Sequence, residues 1–240
     1  MHAPRVKRRG GDRWRWMIAD LRGARVCWLL FFAIAAVYGG MCFASDASLD
    51  WIFATFGLSR EGLLHGAIWQ LITHAFLHGN ILHLSINALG LLLIGSRVER
   101  IGGSATVGKV LFVGVVLGGM VQMLGAPVPH RDFQLVGISG GFTALLLWLT
   151  TVSPESRMMP LPISAKNLGR GIILAEAGFL IGSWFMPQAG FQVVAHGCHL
   201  GGAIAGWLMG RRIRRPRVTL ADLQKERARR EAADEPGNVA

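Results

Sequence analysis

Six apolar runs, near residues 25–44, 80–96, 104–126, 136–152, 170–186 and 192–210, stand between two charged ends, with the remaining charge almost all in the connections. A hydrocarbon layer about 30 Å thick takes roughly 20 helical residues to cross. Inside it every backbone N–H and C=O must bond within its own segment, which leaves the helix as the spanning form for runs of this length. The runs at 80–96 and 136–152 are short, but "HGN" and "SRVER" bracket the first and Pro154 follows the second. Their glycines suit close helix packing. The pattern predicts an all-α polytopic membrane protein: a basic segment over 1–24, one six-helix membrane domain over 25–210, and a basic, largely unstructured tail over 211–240.

Residues 1–47 also have the shape of a secretory signal, a basic stretch before an apolar run that ends in small residues. That run is about 20 residues, longer than a typical signal core. It therefore reads as a first span that is kept.

A net charge of +11 would point to nucleic acid if it were gathered on one face. Instead every Lys and Arg except Arg60 and Arg131 falls within 1–25, 97–109, 153–170 and 211–240. Placing those segments in the cytoplasm satisfies the positive-inside rule. Both termini are expected there, with a bacterial inner membrane as the setting and the lipid bilayer, not nucleic acid, as the partner. The "RRIRRPR" that opens the tail suits anionic headgroups. Three scattered cysteines, Cys27, Cys42 and Cys198, do not make a disulfide framework.

In that orientation spans two, four and six all run inward, so their first halves share the outer leaflet. There lie "HLSINALG" with His83 and Asn87, "GISGG" with Ser139, and "HGCHLGG" with His196 and His199. At about 1.5 Å per residue these groups sit roughly 5 to 10 Å below the outer boundary. Polar groups at such depth are costly unless they pair or meet water. A serine hydroxyl needs a base to become a nucleophile, and His199 is the candidate. Backbone N–H groups at a helix start, with His83 and Asn87 one turn apart, are candidate donors to an oxyanion. Plainer readings stand beside these. Ser139 and its glycines also fit a packing surface, and His83 with Asn87 an interhelical hydrogen bond. Gly202, Gly206 and Gly210 are read as a smooth stripe for close helix packing.

In their order along the chain, "HGNILHLSINALG", "GISGG" before an apolar helix, and "HLGGAIAGWLMG" resemble the rhomboid intramembrane serine proteases over about residues 64–210. "SRVERIGG" after span two is similar as well. The resemblance implies the six-transmembrane-helix rhomboid bundle, a water-filled cavity open to the outside, and cofactor-free cleavage of transmembrane protein substrates. Ser139 would be the nucleophile and His199 its base, a dyad without a carboxylate. The outer halves of spans two, four and six indeed hold no Asp or Glu. His83, Asn87 and the Ser139 amide would hold the oxyanion, and His78 would organise a partly embedded connection over 45–79.

Two positions depart from the family pattern. Gln70 follows Trp69 where many members have an arginine, so arginine anchoring of the connection is lost; Thr143 stands where many place an aromatic against the histidine, with Phe142 one residue earlier. Glu176, an ionisable residue midway along span five, reads as a structural pair with a neighbouring helix, placed below the dyad. A rhomboid-like protein that binds membrane helices without cutting them is the alternative function. Metal or proton transport, suggested by His74, His78, His83, His130, His196, His199 and Cys198, has almost no acidic ligands in the spans and no HExxH to draw on. Oligomeric state does not follow from the residues.

Overall fold

The computed structural model describes residues 20–125, 127, 134–157, 163–186, 189–190, 194–214 and 224. His130, Arg131, the segment before Asp20 and, Gln224 apart, the tail after Arg214 lie outside the described residues.

The helices are α1 (Arg25–Met41), α2 (Asp46–Phe56), α3 (Arg60–Leu64), α4 (Gln70–Thr73), α5 (Ile81–Gly102), α6 (Ser104–Gly125), α7 (Ser139–Val152), α8 (Ala165–Phe185) and α9 (His196–Arg214). A π-helical turn over Leu91–Gly95 lies within α5. Pairing between extended segments is limited, among the described residues, to the isolated bridges Leu58 with Leu135 and Arg157 with Ser164. Several starts are set by side-chain caps. Ser45, Ser59, Asn80 and Ser164 each accept a backbone N–H from the first turn of α2, α3, α5 and α8.

Each expected span coincides with a helix: α1 and α5 through α9. By length and apolarity α5, α6 and α8 are sufficient to cross a membrane, and α1 and α7 are shorter apolar helices. Their outward faces expose Leu29, Phe32, Ile86, Leu89, Phe112, Leu174 and Phe185. So many large apolar side chains exposed on the long helices suit lipid tails better than water.

α7 is the central helix. Gly140, Gly141, Thr143, Ala144, Leu145, Leu147, Trp148 and Leu149 are all buried, against α9, α6, α8 and α5. A helix apolar on every side belongs in a core. α9 reaches it backbone to backbone: a Cβ on Gly202 would fall on the Gly140 carbonyl oxygen, and one on Gly206 on that of Ala144. From α6, a Cβ on Gly118 would come within 2.6 Å of the Cys198 carbonyl oxygen. The small residues thus set the helix spacing.

At the other end of the bundle, buried Glu99 accepts from Val26 N at 3.0 Å, Cys27 N at 3.3 Å and Ser104 Oγ at 2.7 Å. Its carboxylate serves donors of the first turn of α1 that have no partner within their own helix. α8 is the peripheral member, with only Ala165, Gly169 and Ser183 buried.

Candidate active site

The approach to Ser139 is held by the connection between α1 and α5. Leu58 N donates to Leu135 O at 3.0 Å and Leu135 N to Leu58 O at 2.8 Å, with both side chains fully buried. Two residues on, Gly137 N donates to His74 O at 2.8 Å. Gly137 has φ +103, a region open to glycine. A Cβ there would also lie 2.7 Å from Cε1 and Nε2 of His83 and 3.3 Å from Nδ2 of Asn87. Glycine is therefore required twice over, and it lets α5 press His83 and Asn87 against the turn that enters α7.

Ser139 opens α7, and the N-cap, Ile138, offers no side-chain cap. The helix's amide bonding begins with Phe142 N to Ile138 O at 2.9 Å, so the N–H groups before it have no partner within the helix. Asn87 is buried with Nδ2 unpartnered. An unpaired amide donor in a buried position is a ready contact for a ligand oxygen.

His199 lies in the first turn of α9, whose close contact with α7 falls at Gly140 and Gly202, one residue after Ser139 and three after His199. The contact brings the starts of both helices together beside α5. His83 and His199 are near enough to interact electrostatically. In the described hydrogen bonding Ser139 takes part through its carbonyl, which accepts from Thr143 Oγ1 at 2.8 Å, and its hydroxyl makes no bond to His199.

The partner of His199 is Glu176. Oε1 of Glu176 is 3.1 Å from Nδ1 of His199, and Oε2 is 2.6 Å from Nδ1 of His196. The sequence places this carboxylate below the histidine; the structure places it on the histidine. The reason is where the helices end. α8 runs on from Glu176 to Phe185, about 13 Å at the helical rise, while α9 begins at His196 and not near 192. The histidines thus start deep beside α8.

The aromatic question resolves through other residues. Phe142 lies over α5, 2.7 Å from where a Cβ on Gly90 would be. The ring beside His199 is His196, at 6.5 Å and 89°, itself packed on Phe179 at 4.9 Å. The ligand-type atoms of Glu176, His196 and His199 all lie within 4.8 Å of one another, a grouping that can hold a metal ion. The two Nδ1 to oxygen separations are hydrogen-bond lengths. Cys27, Cys42 and Cys198 are free thiols, and Cys198 N donates to Oε1 of buried Gln122 at 3.1 Å.

In the α1–α5 connection, Gln70 does the anchoring. Its Oε1 accepts from Ser59 N at 3.2 Å, and its Nε2 reaches Ala54 O at 3.0 Å and Thr55 O at 3.3 Å. His74 donates Nδ1–H to Gln70 O at 2.7 Å, and burial pushes its pKa down to about 4. His78 is buried against His83, rings 5.1 Å apart, with neither ring nitrogen partnered. Its pKa falls to about 4 through burial first and then the charge of His83. The work of His74 and Gln70 is what sequence reasoning missed; for Glu176 it expected a pair on a neighbouring helix but not these two histidines. The spacing of Gln70 and His74, four apart, was the one signal for the first two.

A central helix sheathed by others, with a serine, three histidines and an asparagine gathered at helix starts inside it, defines a helical membrane bundle with a sunken polar site. A family model, Rhomboid domain, matches residues 65–216. The chain belongs to the rhomboid family and is an integral membrane protein. Among curated proteins it is similar to Rhomboid protease GlpG of Salmonella paratyphi A (strain ATCC 9150 / SARB42) and of Salmonella typhi. In each case identity is 28% over 191 residues, covering 78% of this chain and 63% of the relative. The chain thus spans somewhat less than two thirds of the length of these relatives.

Proposed function

We propose that this protein is an intramembrane serine protease that hydrolyses peptide bonds in or near the transmembrane segments of other membrane proteins, with Ser139 as nucleophile and His199 as base. The observation that carries the reading is the meeting of three helices: the starts of α7 and α9 in backbone contact at Gly140 and Gly202, with His83 and Asn87 of α5 packed on Gly137. Family membership and the printed names of the relatives agree with it.

In the reaction, Ser139 Oγ forms a bond to the scissile carbonyl carbon as its proton passes to Nε2 of His199. The carbonyl electron pair moves onto oxygen, where the Ser139 amide, Asn87 Nδ2 and His83 donate to it. When the C–N bond breaks, the same proton goes to the leaving amine. Water then repeats the sequence on the acyl-enzyme. Helical peptide carbonyls are already hydrogen-bonded, so the favoured substrate is a membrane helix that unwinds locally near small residues. With basic residues confined to alternate connections, both termini are assigned to the cytoplasm of a bacterial cell and the site to the outer leaflet.

The test coexpresses a tagged single-span reporter with the wild-type chain, Ser139→Ala and His199→Ala. Cleavage is expected with the wild type alone, and equal fragment from all three rules this site out. Labelling of the purified protein by a fluorophosphonate should be lost in Ser139→Ala. Capture of intact reporter with neither cleavage nor labelling would instead favour the helix-binding alternative.

A further inference from the structure

Glu176, with the His196 it pairs to, is left unused by the serine–histidine chemistry. It sits on α8, away from the helices that carry the serine, the base and the oxyanion donors, and its two oxygens meet two imidazoles, at 2.6 Å from His196 and 3.1 Å from His199. All three side chains are largely enclosed, with 18% of the Glu176 side chain, 12% of His196 and 20% of His199 exposed.

A carboxylate at such depth is costly without partners. Two Nδ1–H donors supply them, and that arrangement dictates which nitrogen of each ring bears hydrogen. An ionised carboxylate only accepts, so His199 must hold its proton on Nδ1. Nε2 is then the basic nitrogen, the one required to take the serine proton. The second oxygen, held by His196, fixes the carboxylate in turn, and Phe179 backs the His196 ring at 4.9 Å. The assembly is a relay of orientation: α8 holds His196, both hold Glu176, and Glu176 holds His199.

We infer that Glu176 is a positioning residue for proteolysis, converting the Ser139–His199 pair into a serine–histidine–glutamate arrangement whose third member arrives from α8. The inference rests on the proposed protease reading. During attack the proton leaves Ser139 Oγ for Nε2 of His199; Glu176 stays ionised and offsets the imidazolium charge through the Nδ1–H bond, as the buried aspartate does in soluble serine proteases. Glu176 touches no substrate atom and acts through His199 alone.

Two measurements test this. In wild-type protein with 15N-labelled histidines, the His199 signals, assigned by their loss in His199→Ala, should show a protonated Nδ1 and an unprotonated Nε2 at neutral pH. A proton found on Nε2 overturns the inference whatever any variant does. In steady-state cleavage of the reporter, Glu176→Gln and Glu176→Ala should lower kcat by about 10- to 1,000-fold, below the roughly 10,000-fold cost of carboxylate-to-amide replacement in a serine triad. KM should move less than about 2-fold, because a residue that only orients the base changes the transition state and not substrate binding. Both variants keeping wild-type kcat while Ser139→Ala is inactive would sink the role of Glu176 and leave the protease standing. Cleavage surviving in Ser139→Ala would sink the protease reading itself.

Discussion

Gly137 gives its backbone N–H to the carbonyl oxygen of His74 at 2.8 Å, so the turn that delivers Ser139 is hung from the connection between α1 and α5. With the Leu58–Leu135 bridge beside it, this makes the connection a structural support of the site and not a cover over it.

Gly137→Ala should therefore damage the site more than the fold. The new Cβ meets His83 at 2.7 Å and the left-handed φ of +103 is strained for any other residue, together a cost of roughly 1 to 3 kcal/mol. Fluorophosphonate labelling of Ser139 is expected to drop at least 10-fold. Gly171→Ala, where nothing lies within 4 Å of the added carbon, should label like the wild type.

Gln70→Ala removes one acceptor and one donor that together tie Ala54, Thr55 and Ser59 to α4. Leaving those backbone groups short of partners should destabilise the protein by about 1 to 3 kcal/mol. Limited proteolysis in detergent, followed by mapping of the cuts, should show new cleavage within 45–79. An unchanged digestion pattern would mean that other contacts hold the connection.

Glu99→Ala takes away the acceptor shared by Val26 N, Cys27 N and Ser104 Oγ. A buried cap of this kind contributes on the order of 1 to 3 kcal/mol. The melting temperature should fall, with the Ser139 labelling rate at low temperature unaltered, because Glu99 lies at the far end of the bundle.

His74 and His78 make stability depend on acid. Both pKa values are lowered to about 4 by burial, against an ordinary value near 6.5. Between those limits the unfolded chain binds protons that the folded one refuses. Their contribution is thus complete above about pH 6.5 and disappears as the pH falls toward 4, a loss on the order of a few kcal/mol for the pair. Thermal unfolding in detergent from pH 8 to pH 4 should show a plateau and then a decline; a flat profile across that window contradicts the assignment.

How much of this could be read in advance differs element by element. The helices α5, α6 and α7 follow from their apolar runs, because lipid demands internal hydrogen bonding and runs of this length meet it as helices. The start of α8 does not: Lys166 and Arg170 hide it from a hydropathy count, and Ser164, capping Asn167 N, sets it. Ser139, His83, Asn87 and His199 stand out through their order on alternate spans. A helix partner for Glu176 was legible, but not which one, because that depends on where α9 begins. The work of Gln70 escaped for a related reason, since its partners lie 11 to 16 residues away in a segment with no simple periodicity.

α8 is the most lipid-washed of the long helices, with 11% of its apolar window enclosed against 44% and 50% for α5 and α6, yet it carries the acid that grips the histidines. Whatever loosens the rim of the bundle, whether a mismatched bilayer thickness or a harsh detergent, pulls on that acid as well. On the proposed reading, a disturbance of this outlying helix therefore reaches the base itself, through the carboxylate that His199 shares with His196.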